Sequence, residues 1–372
     1  MQIRTERLVE EFQELVSVDS VSYRERDMAD LLKDKLGMLG IDAIEDNAGE
    51  HCGGDAGNIY GVWKGTLPGA PILFSAHMDT VEPGIGKKAI MQKDGRITSD
   101  GTTVLGSDDA AGIAEILEAI RSIQEQNIPH RDIELLFPVA EEVYGRGSNV
   151  FDYSCIRAKE AYVLDLSGAV GTASLQEPTL IPFTATIQGK ASHAGFAPEE
   201  GIHAIAIAAK AIGQIEQGRI GEDTTVNIGK ISGGTATNIV PEHVTMRGEI
   251  RSYEHKKAIE TVENIGRIIE ETAKAHGGSS NMTYDVHLHA YKIEETEPVV
   301  KRFEKACLEL GIESRLTRTF GGSDNNSFLQ HGIRGIVLAC GMNQVHTTNE
   351  YTTVEELERS ASIVAKLMTS EE

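Results

Sequence analysis

The stretch that decides the fold is residues 72–81, with the sequence ILFSAHMDTV. Residues 71–76 are apolar or small, which predicts a buried strand of a parallel sheet. His77 and Asp79 follow where this strand ends, and alternation along the strand puts both side chains on the same side. Open α/β sheets carry their sites at this carboxyl edge, so His77 is a candidate metal ligand. A lone H-x-D pair is more often a buried histidine bonded to its neighbour, and only the rest of the chain can decide.

The composition limits both the domain number and the partners. At 372 residues the chain is too long for one ordinary core, so we expect two domains. The net charge of −22 argues against a nucleic-acid partner, which requires a basic face. We find no run of about 18 apolar residues and no apolar signal core at the start, so we expect no membrane partner and a cytoplasmic location. The 4 cysteines form no C-x-x-C pair, which indicates neither a zinc finger nor a disulfide framework.

Two further buried strands are predicted to end in carboxylates. Residues 133–140 (IELLFPVA) lead into Glu141 and Glu142, and residues 161–164 (AYVL) lead into Asp165. The fold alone gives little reason for two adjacent carboxylates at a strand end before a glycine-rich turn. The repetition of the pattern therefore favours a functional site at this edge of the sheet.

Two more candidates lie at a helix start and after the last strand. The run GSDDAAG at residues 106–112 opens a helix, and an acidic helix cap would explain Asp108 but not the second aspartate. Residues 333–339 are predicted as the last buried strand, and His346 follows it. Residues 82–103 and 319–326 are predicted as loops.

The predicted pattern of strands and helices changes near residue 179. Strands are predicted at residues 180–188, 224–232, 243–252 and 282–289, with helices after the first and third. The order β-α-β-β-α-β is typical of a ferredoxin-like domain. We therefore expect an inserted domain at 178–289 and a catalytic domain made of 1–177 and 290–372.

Collected together, the strand-end and helix-start groups form a six-residue constellation: His77, Asp108, Glu141, Glu142, Asp165 and His346. Two imidazoles and four carboxylates suit a pair of zinc ions. One carboxylate has to bridge the ions, and one should stay unligated to act as a general base. Two metals ~3.5–4 Å apart can polarise a carbonyl and activate a water together.

At this point a resemblance to a known family becomes specific. The motifs HMDTV, GSDDAAG, AEEVYGRG, VLDLSG, SHAG, PEEG, TNIVPE, GGSD and VHTTNEY occur in the order found in di-zinc exopeptidases related to carboxypeptidase G, aminoacylase and tripeptidase T. The chain resembles the peptidase T-like branch most, over nearly its whole length. The resemblance implies an α/β, mixed-sheet catalytic domain with an inserted ferredoxin-like α+β lid and dimerisation domain. It also implies hydrolysis of amide bonds in small peptides, as an aminopeptidase on di- or tripeptides.

The resemblance implies roles for the site residues by motif. The metal ligands would be His77 with Asp165 for one zinc, Glu142 with His346 for the other, and Asp108 as the bridge. Co²⁺ or Mn²⁺ would be able to substitute, and the bond from Asp108 to Asp109 would be a cis peptide. Asp79 would orient the imidazole of His77. Glu141 would be the general base and would later pass its proton to the leaving amine.

The inserted domain would contribute to substrate binding. His193 in SHAG would stabilise the oxyanion across a homodimer, although without the resemblance it is only a polar residue in a turn. Asn238 and Arg251 would hold the substrate carboxylate, for which arginine supplies a two-pronged donor. Gly322 and Ser323 would contribute backbone to the pocket.

Some features of the sequence leave the exact activity open. The chain has HAG at 193–195 where the classical tripeptidases have HPG, and HTTNE at 346–350 where they have HGKHE, so the peptide length stays open. A glutamyl-aminopeptidase-like family carries an extra domain between its first histidine and first aspartate. Only about thirty residues separate His77 from Asp108 here, which favours the tripeptidase side. An amidase or deacylase on N-acyl amino acids and an inactive metal-binding protein remain alternatives.

Overall fold

The structure, a computed structural model, describes residues 2–371 and divides into two compact units. The first unit contains residues 2–176, 292–319 and 323–371, and the second contains residues 177–291 and 320–322. Among the helices of residues 2–371, none has both the length and the apolar character needed to cross a membrane.

The helices and strands of residues 2–371 are numbered in chain order. The α-helices are α1 Thr5–Val16, α2 Arg26–Met38, α3 Ala48–Cys52, α4 Ser107–Glu125, α5 Arg146–Val150, α6 Ala204–Ile212, α7 His255–Ala275, α8 Pro298–Glu309, α9 Asn325–Gln330 and α10 Val354–Met368. The strands are β1 Ala43–Glu45, β2 Ile59–Trp63, β3 Ile72–Ser75, β4 Ile90–Met91, β5 Arg96–Thr98, β6 Ile133–Phe137, β7 Glu160–Leu166, β8 Thr172–Ser174, β9 Gln176–Glu177, β10 Thr179–Gln188, β11 Gly218–Arg219, β12 Thr224–Gly233, β13 His243–Ser252, β14 Ser279–Tyr284, β15 Tyr291–Lys292, β16 Arg315–Thr317, β17 Arg334–Ala339 and β18 Tyr351–Thr353.

The first unit is built on an eight-stranded sheet in the order β1-β2-β6-β3-β7-β17-β8-β16. At its centre β6, β3, β7 and β17 run parallel to one another. Antiparallel partners flank them, β2 beside β6 and β8 beside β17. Every residue of β3 and β6 is buried, as expected for strands covered on both faces. The α/β fold with a mixed sheet expected from the sequence is confirmed.

Helix α4 brings its amino end to the carboxyl edge of the parallel strands. It contacts α1 and α10 as well as β3 and β7, and it is buried on nearly every side. Gly112 permits the close approach to β7, because a Cβ at this position would lie 2.8 Å from the carbonyl oxygen of Leu164. The first turn of α4, which carries Asp108 and Asp109, is thereby placed beside the ends of β3 and β7.

The second unit is built on a five-stranded antiparallel sheet in the order β11-β12-β13-β10-β14. The chain runs through it as β10-α6-β12-β13-α7-β14, which is the ferredoxin-like order. β10 is the central strand and pairs with β13 over its whole length. Its buried alternate residues, including Phe183 and Ile187, share one apolar core with Ile207 of α6 and Val262 of α7.

Three local features differ from the sequence expectation. The last strand of the second unit is β14 at 279–284 and not 282–289. Leu288 makes an isolated bridge to Leu180, whereas the polar residues 279–281 pair with β10, and their polarity gave no sign of a strand.

The expected loop at 82–103 contains β4 and β5, which pair with each other and with β18. The partner strand β18 lies about 250 residues later in the chain, so local patterning could not indicate the pairing. Phe320–Gly322, expected in the catalytic domain, belongs to the second unit. Phe320 packs against Tyr253, and its carbonyl oxygen accepts a hydrogen bond from Arg251.

Candidate metal centre

The ends of the four central parallel strands supply most of the polar cluster. His77 follows β3, Glu141 and Glu142 follow β6, and His346 follows β17 after a longer loop. Asp165 differs from the expectation, because it lies within β7 and not after it. The pairing of β7 with β17 shifts register beside it, and such a bulge redirects a side chain.

Asp108 lies between the two histidines. Its Oδ1 is 3.0 Å from Nε2 of His77, and its Oδ2 is 3.2 Å from Nε2 of His346. The same Nε2 of His346 is 2.9 Å from Oε2 of Glu142, and Nε2 of His77 is 3.9 Å from Oδ1 of Asp165. Two groups of possible ligand atoms therefore share one carboxylate: His77, Asp108 and Asp165, and Asp108, Glu142 and His346.

The tautomer of His77 follows from its second nitrogen. Nδ1 lies 2.9 Å from the backbone carbonyl oxygen of Asp79, which can only accept, so Nδ1 carries a proton and donates it. In the neutral imidazole, Nε2 then presents a lone pair to the carboxylate oxygen of Asp108. Two lone pairs at this distance require a cation, either a proton or a metal ion, between them.

The carboxylate of Asp79 supports the turn that follows β6. Its Oδ1 accepts from the backbone amide of Glu141 at 2.8 Å, and its Oδ2 accepts from the amide of Glu142 at 3.2 Å and from Oγ of Ser22 at 2.6 Å. The carboxylate is farther from the His77 ring, with 3.4 Å between Oδ1 and Nδ1. Asp79 thus connects the end of β3 to the Glu141–Glu142 turn.

Burial opposes the negative charge of this cluster. Burial and neighbouring acids raise the pKa of Glu141 and of Asp165 well above the usual range. Burial and the charge of Asp108 raise the pKa of Glu142 to about 7. Burial would also raise the pKa of Asp108, but hydrogen bonds from His346 and His77 hold it below its usual value.

The histidines respond in the opposite direction. Burial would lower the pKa of His77, but Asp108 and Asp79 raise it well above the usual value. Hydrogen bonds to Asp108 and Glu142 raise the pKa of His346 to about 10. The cluster as a whole therefore favours positive charge at two places.

These observations fit a dinuclear metal centre. The donors are imidazole nitrogens and carboxylate oxygens, and the atoms of each group lie within 4.8 Å of one another. Oε1 of Glu142 is buried and has no hydrogen-bond partner among the described residues. An uncompensated buried carboxylate oxygen is costly, and a cation at this place would satisfy it.

Asp109 supports the site through hydrogen bonds to the backbone. The peptide bond between Asp108 and Asp109 is cis, as the resemblance implied. Oδ2 of Asp109 accepts from the backbone amide of His77 at 3.1 Å, and Oδ1 accepts from the amide of Gly112 at 3.2 Å. Asp109 therefore joins the strand end of β3 to the first turn of α4.

Sequence reasoning missed two buried acids near this centre. Glu350 accepts from the amide of Gly106 at 2.9 Å, from Oγ of Ser107 at 2.6 Å and from the amide of Asp108 at 3.1 Å. Asp324, at the start of α9, is buried, and its charge is among those that raise the pKa of Glu141. Both belong to motifs noted in the sequence, VHTTNEY and GGSD, and those motifs were the available signal.

His193, Asn238 and Arg251 lie in the second unit. His193 and Asn238 are exposed neighbours there, since the amide of Ala194 donates to the carbonyl oxygen of Asn238 at 2.9 Å. Nε of Arg251 donates to Glu249 at 2.8 Å, and its Nη1 donates to the Phe320 carbonyl oxygen at 2.8 Å.

The last two candidates belong to different units. Gly322 is part of the second unit, whereas Ser323 is part of the first. Ser323 is buried, and its Oγ accepts from the amide of Asn325 at 3.2 Å.

Comparisons with known proteins identify the family of the whole chain. The chain is similar to a crystal structure of a tripeptidase from Staphylococcus aureus subsp. aureus Mu50, with a TM-score of 0.96 and 37% identity over 99% of both chains. It is similar to a crystal structure of aminopeptidase PepT from Bacillus cereus ATCC 10987, with a TM-score of 0.91 and 42% identity over 99% of this chain and 98% of that one. It is also 41% identical to the uncharacterized protein YqjE of Bacillus subtilis strain 168, over 98% of each chain. Residues 73–370 match the peptidase family M20/M25/M40, and the chain therefore belongs to this family.

Proposed function

We propose that the protein is a zinc-dependent aminopeptidase that acts on di- or tripeptides. The observation that carries the proposal is the pair of ligand groups that share Asp108, with the buried Glu141 beside them. The similarity to a tripeptidase and to an aminopeptidase over nearly the full chain supports small peptides as the substrates.

We propose zinc as the metal, because imidazole nitrogens and carboxylate oxygens are donors that zinc prefers, and Co²⁺ or Mn²⁺ would fit the same set. The ligands would be His77 and Asp165 for one ion, Glu142 and His346 for the other, and Asp108 for both. When bound, the two ions polarise the scissile carbonyl and make a water more acidic.

Glu141 is the proposed general base. It takes a proton from the attacking water at a carboxylate oxygen while the water oxygen bonds to the carbonyl carbon. The C–N bond then breaks, and Glu141 returns the proton to the leaving amine nitrogen. Burial, Asp324 and Glu142 raise the pKa of Glu141, which makes its carboxylate a stronger base. Asp79 positions it through the backbone amide.

His193 is the proposed donor to the oxyanion. Its Nδ1 accepts from the amides of Gly195 and Phe196, both at 3.1 Å, so the proton of the neutral ring is on Nε2. Phe196 also stacks on the ring, with 4.1 Å between the centroids. We propose that the second unit forms a homodimer in which His193 of one protomer serves the site of its partner.

Four further residues are proposed for substrate binding. Asn238 and Arg251 would hold the substrate carboxylate, and Gly322 and Ser323 would contribute backbone to the pocket. Because Nε and Nη1 of Arg251 already donate to protein oxygens, a carboxylate would bind at Nη2. A cytoplasmic location is also proposed, and the four free cysteines fit a reducing compartment.

The test is a substrate screen with zinc- or cobalt-reconstituted protein. Di- and tripeptides are compared with the same peptides acetylated at the amino end and with N-acyl amino acids. We expect hydrolysis of the free peptides and little of the acetylated ones. Hydrolysis of N-acyl amino acids without any need for a free amine would instead identify an amidase. Binding of two metals without hydrolysis of any of these compounds would indicate an inactive metal-binding protein.

A further inference from the structure

Three successive backbone amides of the turn that carries Glu141 donate to two buried carboxylates. Those of Glu141 and Glu142 donate to Asp79, as described above. The amide of Ala140 donates instead to Oε1 of Glu25, at 3.0 Å. Glu25 precedes α2 and lies outside the segment that matches the peptidase family. No role for it was expected from the sequence.

Glu25 is a costly residue to keep in this place. Its side chain is buried, and its Oε2 has no hydrogen-bond partner among the described residues. Burial and the charge of Asp79 raise the pKa of Glu25 to about 7. It precedes the first residue of α2, but its side chain makes no capping hydrogen bond to that helix. Helix capping therefore does not explain a carboxylate here.

The backbone that Glu25 holds is unusual. Ala140 has a φ of +52°, in the left-handed region that residues with a Cβ rarely adopt. Such a conformation persists only where the surrounding contacts determine it. On the other side of the turn, the carbonyl oxygens of Ala140 and Glu141 accept from the amides of Arg146 and Gly145. Glu25 and Asp79 hold the backbone amides of the same turn.

The segment around Glu25 is itself attached to the site. Oε1 of Glu25 also accepts from the amide of Tyr23 at 2.9 Å, and Oγ of Ser22 donates to Asp79 at 2.6 Å. Val21 forms a parallel bridge with Thr80, directly after Asp79. The carboxylate of Glu25 is thus held at a set distance from the end of β3.

We propose that Glu25 is a positioning residue for the general base: by accepting the amide of Ala140 it sets the direction in which the Glu141 carboxylate points. The inference rests on the proposed function of Glu141. It concerns the position of an acceptor oxygen, and the charge of Glu25 is secondary.

The experiment compares Glu25→Gln, Glu25→Asp and Glu25→Ala with wild type in kcat, KM, metal content and thermal unfolding. Gln keeps an acceptor oxygen at the same reach, Asp keeps the charge but withdraws the oxygen, and Ala removes it. We expect Gln to stay within about threefold of wild-type kcat, and Asp and Ala to lose about 10- to 100-fold, with two metals bound and KM little changed.

The matched control is Glu134, another buried carboxylate in the first unit that accepts successive backbone amides, those of Arg157 and Ala158. Glu134→Ala should destabilise the fold to a similar extent and leave the kcat of the folded protein unchanged. Wild-type kcat in Glu25→Asp, or equal losses in Glu25→Gln and Glu25→Ala, would overturn the inference. Equal kcat loss in Glu134→Ala would do the same. Wild-type turnover in Glu141→Ala would instead refute the proposed base, so the two failures are distinguishable.

Discussion

The two histidines of the metal centre occupy contrasting environments. The side chain of His77 is 1% exposed, whereas that of His346 is 52% exposed. We call His77 with Asp165 the buried half of the centre and Glu142 with His346 the exposed half; the second name refers to His346, because the Glu142 side chain is only 6% exposed. Asp108 belongs to both.

The difference has a structural cause. His77 lies two residues after the end of an interior parallel strand, and its ring is held by the carbonyl oxygen of Asp79. His346 lies on a loop after β17 and has a φ of +62°, close to Gln344, which also has a positive φ of 52°. The buried half is thus organised by the sheet itself, whereas the exposed half depends on a loop being held in place.

In this arrangement one shared candidate ligand, Asp108, joins two groups of unequal rigidity. A preorganised site loses less conformational entropy when an ion binds. We therefore expect the buried half to hold its ion more tightly and the exposed half to exchange faster.

The largest effect should come from a residue that belongs to neither half. Glu141→Ala removes the proposed base, and we expect kcat to fall about 10²- to 10⁴-fold. Metal analysis should still find two ions per chain, because Glu141 is not a proposed ligand. Loss of either ion in this variant would mean that Glu141 contributes to binding, and the division into halves would need revision.

The two histidine variants should differ in more than metal content. His77→Ala and His346→Ala should each bind about one ion per chain. In chelated protein, His77→Ala should lower the free energy of unfolding by about 3 kcal/mol, since it breaks an ion pair with Asp108 in which the imidazole itself is fully buried. His346→Ala should cost below about 1 kcal/mol, because that side chain is half exposed.

Urea unfolding of the chelated variants measures this difference. Equal costs for the two variants would remove the basis of the contrast. Stepwise chelation of wild type supplies a second readout. The first ion released should be that of the exposed half, which is the ion that His346→Ala lacks.

Glu350 offers a way to weaken both halves at once. Its carboxylate accepts the amide of Asp108 and two neighbouring donors. In Glu350→Gln the amide group would face one of these donors, so the Asp108 turn should shift. We expect the affinity for both ions to fall about 10- to 100-fold, as when an outer support of a metal ligand is removed.

Glu356→Gln is the matched control for Glu350. Its carboxylate accepts from Asn343 and Thr353, and within residues 2–371 it makes no hydrogen bond to a proposed ligand. Metal affinity should stay unchanged in it. A loss confined to the exposed half in Glu350→Gln would show that Glu350 acts through the His346 loop and not through Asp108.

The buried half could be anticipated from sequence more directly than its supports. A run such as residues 72–76 is apolar because the strand is covered on both faces. A polar residue at the end of such a run can therefore be recognised from the sequence alone. His346 follows its strand by several residues, and although the strand pattern made it a candidate, its pairing with Glu142 came only from the family resemblance. Glu25 and Glu350 act on backbone amides, which every residue carries, so no residue type marks their targets.

Pairing between distant segments was equally hidden. β5 and β18 have three residues each and no alternation long enough to recognise. Phe320 joined the second unit through Tyr253 and Arg251, contacts of a single loop residue with a strand far away in sequence. Such contacts depend on three-dimensional packing and leave no periodic signal.

The smallest predicted effect is a pH dependence that isolates the exposed half. In chelated protein the pKa of His346 is raised to about 10, against an ordinary value near 6.5. Between these values the folded state binds more protons than the unfolded state, so its stability falls as the pH rises. The contribution is fully present below about pH 6.5 and lost through pH 10. His346→Asn cannot take up this proton, so its free energy of unfolding should fall less steeply with pH over this window than that of wild type. Because the side chain is half exposed, the difference should stay below about 1 kcal/mol. Urea unfolding at intervals from pH 6 to pH 10 measures it, and parallel curves would mean that His346 is not held by Asp108 and Glu142 in solution.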